Sequence, residues 1–459
     1  TRPGMRIVRI GTASISPTVG DFRGNVSRIR SAVDAARERG VHLLVLPELA
    51  LSGYSLEDRV SWPVVAEQSW RELAALAPAC AGVTTFVGLP VRMGGLMYNA
   101  AALIHEGRVR GLIFKRYLPA YSIFYEIRNW TPWAGGVTEV HGVPAGDLVF
   151  DLPFGKVSAE ICEDLFAAQS PALARVQHGA EIICNPSASP FIPRKNEERK
   201  RRIVNSAENL RTVYAYANLL GCDSSRLVFD GGGVVAAPGG IVSEAPILST
   251  RQWTLADGVV DLDDLVRLRG ESTTWRMDAT ATSTAARVAT IDATDGGFTP
   301  APLETLVAAM PRSFYVPSAP PAPDERSAAL DELFDALTLG LRDYFEKVGV
   351  FQRILIALSG GRDSALCLLL AVAAAKALNE GRDAERYAER IETVYLPHDG
   401  HSTTGTENAA RALAEELGVP YRVQAIGDET KRALAVSAAL PGGEEHVRPI
   451  ARENMQARI

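Results

Sequence analysis

Short β-type runs alternate with helical patterns twice along this chain, and a stretch dominated by Thr, Ser, Ala and Pro separates the two series. No other feature constrains the fold as strongly, because each alternation has to close its own layered α/β core. The length of 459 residues agrees, at about three times the ~150-residue prior for one domain. In the first series, strand patterns over residues 6–10, 41–46, 85–88, 100–105, 109–114, 157–161, 182–184 and 212–217 are joined by helices over about 25–39 and 196–210. Val26, Ile29, Ala32, Val33 and Ala36 recur at helical spacing in the first of these helices, and Gly40 follows as its stop. The second series runs helix 330–348, with Leu333, Leu337, Leu341 and Phe345 as its stripe, strand 354–358, helix to 378, strand 393–396, helix 408–417 and strand 421–426. That is the repeat of a doubly wound parallel sheet. The reading is therefore a first α/β domain over 1–268, a linker over 269–326 and a second domain over 327–459. The linker is stiffest at Pro317–Pro323, with Phe314 and Tyr315 offering the alternative of an ordered arm. The chain ends at Ile459 inside another helical pattern, so the second domain is expected to be incomplete at its C-terminus.

Composition removes several classes of function. With 47% hydrophobic and 22% charged residues the chain is globular, and a net charge of -6 argues against a nucleic-acid surface or a basic membrane anchor. The longest apolar run, 365–375, is too short to span a bilayer, and the start carries no apolar signal region. Five scattered cysteines lack metal-ligand spacing and fit a reducing compartment, where a special cysteine is a nucleophile rather than half of a disulfide. A soluble, cytoplasmic protein with no nucleic-acid or membrane partner is expected.

Three short segments in the first series each follow a strand. Leu46-Pro47-Glu48-Leu49 delivers a carboxylate, Phe114-Lys115-Arg116-Tyr117 an ammonium, and Glu160-Ile161-Cys162-Glu163-Asp164 a thiol. Singly, each has a bland explanation: a solvated loop acid, a surface lysine, an inert core cysteine. Together they are the parts for attack on an amide: Cys162 as nucleophile, Glu48 as its base and later proton donor, Lys115 as cationic stabiliser of the oxyanion. In the second series, the strand 354–358 leads into Ser359-Gly360-Gly361-Arg362-Asp363-Ser364 and then a helix. Backbone amides of such a loop, with the helix N-terminus behind them, suit phosphate oxygens. Ser359 and Ser364 add hydroxyl donors, Gly360 and Gly361 allow close approach, and Asp363 is a candidate for holding magnesium. No Gly-Lys-Ser/Thr follows, so this is not a Walker A loop.

These motifs carry a resemblance. Leu-Pro-Glu-Leu, Phe-Lys-x-Tyr-Leu-Pro and Glu-Ile-Cys-Glu-Asp, in this order, resemble the nitrilase (carbon–nitrogen hydrolase) superfamily and its Glu-Lys-Cys triad over roughly residues 5–265. Residues 117–121 and 124–126 look most like the glutaminase domain of glutamine-dependent NAD synthetases. The resemblance implies an αββα sandwich and a glutamine site of Tyr54, Tyr121, Phe124, Glu126, Phe166, Ser189 and a cation, Lys195 or Arg194. The loop 359–364 resembles the pyrophosphate loop of N-type ATP pyrophosphatases, and 453–459 looks like a helix of NAD synthetases, implying that Asn454 contacts deamido-NAD in a Rossmann-like domain. The implied activity is hydrolysis of glutamine through a Cys162 thioester, with the ammonia passed by a shielded passage to an ATP- and magnesium-dependent amidation of deamido-NAD in a homo-oligomer. Free-standing amidase activity beside a silent nucleotide-binding remnant is the alternative, and a regulatory nucleotide-binding module a third.

Overall fold

The computed structural model describes residues 5–223, 226–282, 288–309, 325–380, 384–397 and 403–439. Asn454, the helical pattern 453–459, Phe314, Tyr315 and the proline-rich stretch 317–323 lie outside the described residues. The chain divides into two compact units, Thr1–Leu339 and Gly340–Ile459, with the division inside the helix Glu325–Val348.

Among the described residues the first unit holds two large sheets. One has eight strands in the spatial order Trp253–Asp261, Ile7–Ile15, Leu43–Val45, Thr84–Met93, Leu96–His105, Arg108–Phe114, Val143–Gly146 and Val137–Val140. The other has seven, in the order Gly240–Glu244, Val234–Ala237, Val213–Asn218, Ile182–Ser187, Gly155–Ala159, Leu148–Leu152 and Ala289–Asp292. Their facing sides share one core: Val8, Ile10, Val45, Phe86 and Leu103 of the first sheet pack with Phe150, Val157, Ile182, Val213 and Val235 of the second. The outer face of the first sheet is covered by the helices Phe22–Glu38 and Pro63–Leu76, and that of the second by Pro171–Gln177 and Lys195–Asn209. This is the αββα sandwich implied above. Each fully buried large aliphatic or aromatic side chain contributes roughly 1.5–3 kcal/mol, and strands buried on both faces read as near-continuous apolar runs.

Differences from the sequence reading bear on the second sheet and on the Cys162 turn. Within the segment expected to be a linker, Ala289–Asp292 pairs in parallel with Leu148–Leu152 and extends the second sheet; a four-residue edge strand is too short to stand out against its Thr- and Ala-rich surroundings. The strand expected over 157–161 ends at Ala159, because Cys162 takes a left-handed backbone conformation with φ 48° and starts the helical turn Cys162–Phe166.

In the second unit, Ile354–Ala357, Ile391–Tyr395 and Tyr421–Val423 form a parallel three-stranded sheet, with the helices Arg362–Leu378 and Thr404–Glu416 in the connections. It is the α/β alternation read from the sequence. Among the described residues no helix is long and apolar enough to cross a membrane.

Candidate active site

Glu48 follows Leu43–Val45, a strand parallel to both of its neighbours, and the loop that carries it lies against the adjacent strand at Gly88. A Cβ at Gly88 would stand 2.3 Å from the Leu49 nitrogen, so glycine there lets the loop dock. Across the sandwich, the Glu48 amide donates to the Ser187 carbonyl at 3.4 Å, which joins the two sheets at this end. Lys115 comes one residue after Arg108–Phe114, its own amide held by the Asn99 carbonyl at 2.9 Å. Cys162 comes from the second sheet, just after Glu160, whose amide donates to the Cys184 carbonyl.

The structure pairs Glu48 with Lys115, and both act electrostatically on Cys162. Lys115 Nζ lies 2.7 Å from Glu48 Oε1 and 2.7 Å from Glu126 Oε2, with all three side chains buried. Asn99 Nδ2 donates to Glu48 Oε1 at 2.6 Å, and Tyr54 OH donates to Glu126 Oε1 at 2.6 Å. Burial pulls the Lys115 ammonium down, but Glu126 and Glu48 more than offset it, and Lys115 stays charged. Glu126 is pushed up by burial and by Glu48, against the pull of Lys115. The Cys162 thiol feels the same groups: burial and the Glu48 carboxylate push it far up, and Lys115 pulls it down. A thiol held neutral this way needs a base at hand to become a nucleophile.

The glutamine-site candidates separate. Glu126, expected in the glutamine site, is bonded to Lys115 and Tyr54, and Tyr54 stands behind it with its ring edge-on to Phe229. Tyr121 and Phe124 form an edge-to-face pair at 5.6 Å, and Tyr121 OH donates to the Glu163 carboxylate at 3.0 Å, one residue from the nucleophile. Tyr54, Phe124 and Glu126 also line an open cleft with Trp130 and Leu227. Phe166 is half-buried and packs on the helix-covered side of the second sheet, its ring capped by the Arg202 guanidinium at 4.9 Å. Ser189 is clamped by Asn218, which accepts from its amide at 2.8 Å and donates to its carbonyl at 3.0 Å. Of the two basic candidates, Arg194 pairs with Glu332, at 3.7 Å between Nη1 and Oε1. Lys195 is half-buried, its ammonium 3.5 Å from the Pro190 carbonyl, and burial and Arg199 hold it below its ordinary range.

Asp164, which the sequence reading passed over, braces two of the loops. Its buried carboxylate accepts from the amides of Ile161 at 3.0 Å, Tyr117 at 2.8 Å and Arg116 at 3.1 Å, tying the nucleophile turn to the segment after Lys115. Burial and the nearby Glu160 push its pKa from 3.8 up to about 7. The folded protein therefore holds this proton where the unfolded chain has lost it, and the stabilising effect of protonation fades as pH rises from about 4 to about 7. Asp164→Asn carries no charge to bury, so its stability relative to wild type is expected to improve between pH 5 and 7.5. All six tryptophans precede residue 276, so urea unfolding followed by tryptophan fluorescence reads the first unit alone. A stability gap that does not change with pH would contradict the expectation.

In the second unit, Gly361 starts the helix Arg362–Leu378, and no side chain caps that end. The loop hydroxyls bond within the loop: Ser364 Oγ lies 3.0 Å from Ser359 Oγ and donates to the Gly361 carbonyl at 3.0 Å. Asp363 sits in the first helical turn. Among the described residues no three acidic, His or Cys side chains cluster as a self-sufficient metal site. One carboxylate beside a loop that ends at a helix start is compatible with magnesium, which is usually held by one or two carboxylates together with substrate phosphates.

Asn99, Glu163, Asp164, Asn185 and Tyr214 were not singled out from the sequence. The density of acids around Cys162 was a usable signal for Glu163 and Asp164; Asn99 and Tyr214 lie inside strands and carry none.

The carbon-nitrogen hydrolase family matches residues 8–269 and the NAD synthase family residues 333–459. A glutamine-dependent NAD(+) synthetase of Thermotoga maritima is 31% identical over 464 aligned residues, covering 99% of this chain and 71% of the relative. One of Aquifex aeolicus is 29% identical over 463, covering 99% and 71%. A crystal structure of a glutamine-dependent NAD(+) synthetase from Cytophaga hutchinsonii superposes with a TM-score of 0.76 over 98% of this chain and 71% of that one, at 24% identity, and supports the fold.

Proposed function

The chain belongs to the carbon-nitrogen hydrolase family and to the glutamine-dependent NAD(+) synthetases, and from that membership we propose that Cys162, Glu48 and Lys115 hydrolyse glutamine while the loop 359–364 serves an ATP-dependent amidation of deamido-NAD. The observation that carries the reading is the buried Lys115–Glu48 pair electrostatically coupled to a cysteine in a left-handed turn.

Glu48 takes the thiol proton as Cys162 Sγ attacks the side-chain amide carbon of glutamine. Lys115 Nζ stabilises the oxyanion. Glu48 returns the proton to the amide nitrogen, ammonia leaves, and a thioester remains. Water then loses a proton to Glu48 and attacks; glutamate departs as the thiolate recovers that proton. Glu126 and Asn99 keep Lys115 and Glu48 oriented. In the second reaction the nicotinate carboxylate of deamido-NAD attacks the α-phosphorus of ATP and pyrophosphate leaves. Ammonia then displaces AMP to give NAD. Amides and hydroxyls of Ser359, Gly360, Gly361 and Ser364 bind the phosphates, and Asp363 would hold a magnesium ion, which would supply positive charge against the phosphates. We place the activity in the cytoplasm of the cell, where five free thiols are stable, and in a homo-oligomer.

Glutamine binding needs a carboxylate for the ammonium and a cation for the carboxylate. With Glu126 engaged by Lys115, Glu163 and Lys195 fill those roles in this reading. Glu163→Gln and Lys195→Met are each expected to raise KM for glutamine about 10–100-fold with a smaller change in kcat, the loss of one charged hydrogen bond at about 1.5–3 kcal/mol. Unchanged KM values would remove both assignments. The function itself is tested by glutamate release and NAD formation from glutamine, ATP and deamido-NAD. Both products are expected; glutamate without NAD would reduce the protein to an amidase, and neither would end the proposal.

A further inference from the structure

Cys162 holds a backbone conformation that side chains other than glycine rarely adopt, at a cost of about 1–3 kcal/mol. Its amide N–H does not face the open side of the site: it donates to Asn185 Oδ1 at 3.2 Å. That oxygen also accepts from Ser187 Oγ at 2.7 Å. The other end of the Asn185 amide, Nδ2, donates to Tyr214 OH at 3.0 Å. Tyr214 OH in turn donates to Glu160 Oε1 at 2.5 Å. Glu160 is held by donors alone, since its Oε2 accepts from the Ala172 amide at 3.1 Å and from Ser170 Oγ. Glu160, Tyr214 and Asn185 are all fully buried.

The chain of bonds has one direction. An acceptor-only carboxylate forces the Tyr214 hydroxyl hydrogen toward Glu160 and its oxygen lone pair toward Asn185. That lone pair selects the NH2 end of the Asn185 amide and turns the carbonyl end toward Cys162. Burial keeps the Tyr214 phenol protonated, raised further by Glu160. The three residues sit on adjacent strands: Ile182–Ser187 carries Asn185, Val213–Asn218 carries Tyr214, and Glu160 follows Gly155–Ala159.

Building on the function proposed above, we propose that Glu160, Tyr214 and Asn185 form a polarity-fixing relay that positions the nucleophile: Glu160 sets the direction of the Tyr214 hydroxyl, Tyr214 sets the Asn185 amide, and Asn185 holds the Cys162 turn. None of the three touches the substrate; they act through the Cys162 backbone. An Asn185 amide turned the other way would set N–H against N–H at the nucleophile.

The test uses the full chain as Tyr214→Phe, Glu160→Gln and the double variant, with thermal unfolding to confirm folding. Each single variant is expected to lower kcat for glutamate release about 10–100-fold, the range seen when groups behind a reactive centre are removed, with KM for glutamine within about threefold. Because the residues act in series, the double variant should lose no more than the worse single one. The rate of Cys162 alkylation by iodoacetamide should fall in the same variants, a readout independent of glutamine. A kcat for Tyr214→Phe within twofold of wild type, losses that multiply in the double variant, or KM rising in step with the fall in kcat would each overturn the relay. If one single variant does not fold, the other carries the kcat-against-KM comparison and the alkylation rate. Wild-type protein that releases no glutamate but shows the alkylation differences would sink the glutaminase reading and leave the relay standing.

Discussion

Replacing Cys162 with alanine is expected to lower glutamate release by about four orders of magnitude or more while the first unit stays folded. The thiol is the only atom group removed, and a covalent route has no substitute when its nucleophile is gone; losses of about 10⁴–10⁶ are typical for such residues. Folding should survive because alanine meets the same left-handed backbone penalty as cysteine, and the Cys162 amide bond to Asn185 does not involve the side chain. Its contrast is Lys115→Met. That change would leave Glu48 and Glu126 buried without their cation, and breaking a buried ion pair costs about 3–5 kcal/mol, so activity and stability should fall together. Glutamate release from Cys162→Ala within tenfold of wild type would mean that the thioester does not exist.

The second large effect separates the two reactions. Gly360 has φ +80°, and a Cβ there would stand 2.2 Å from the Thr406 carbonyl oxygen. That oxygen belongs to the first turn of the helix Thr404–Glu416, which Thr403 caps by accepting from the Thr406 amide at 3.2 Å. Backbone in a capped helix cannot yield as a flexible side chain would, and the left-handed conformation adds its own penalty for alanine. Gly360→Ala is therefore expected to displace the loop and cut NAD formation at least about 100-fold. Glutamate release, measured without ATP or deamido-NAD, should stay within about twofold of wild type, because Cys162 lies in the other unit. NAD formation at the wild-type rate would remove the loop from the ATP reaction.

Glu48, Lys115 and Cys162 were legible because each sits just beyond an apolar strand. A run of buried residues is visible in sequence, and so is the residue that interrupts it. The loop 359–364 was legible for the same reason. Glu126 was legible as a candidate for the glutamine site, but nothing in its neighbourhood says that it lies 2.7 Å from Lys115. Arg194 and Lys195 could not be told apart in the sequence, because the Arg194 partner Glu332 lies 138 residues away. The strand Ala289–Asp292 was hidden because edge pairing depends on the partner strand rather than on its own four residues.

Local order along the chain determined which side chains are delivered to strand ends: backbone periodicity and side-chain polarity are short-range properties, so the two α/β units, the thiol, the acid, the amine and the Gly-containing loop are all written there. Only the tertiary structure decided what those groups meet. Glu126 behind Lys115, Asp164 bracing two loops and Asn185 holding the Cys162 amide are hydrogen bonds between residues distant in sequence. Such bonds depend on distances of a few tenths of an ångström: strand pairing within the second sheet sets the Asn185–Cys162 distance, and packing of the two sheets sets the Asp164–Tyr117 one.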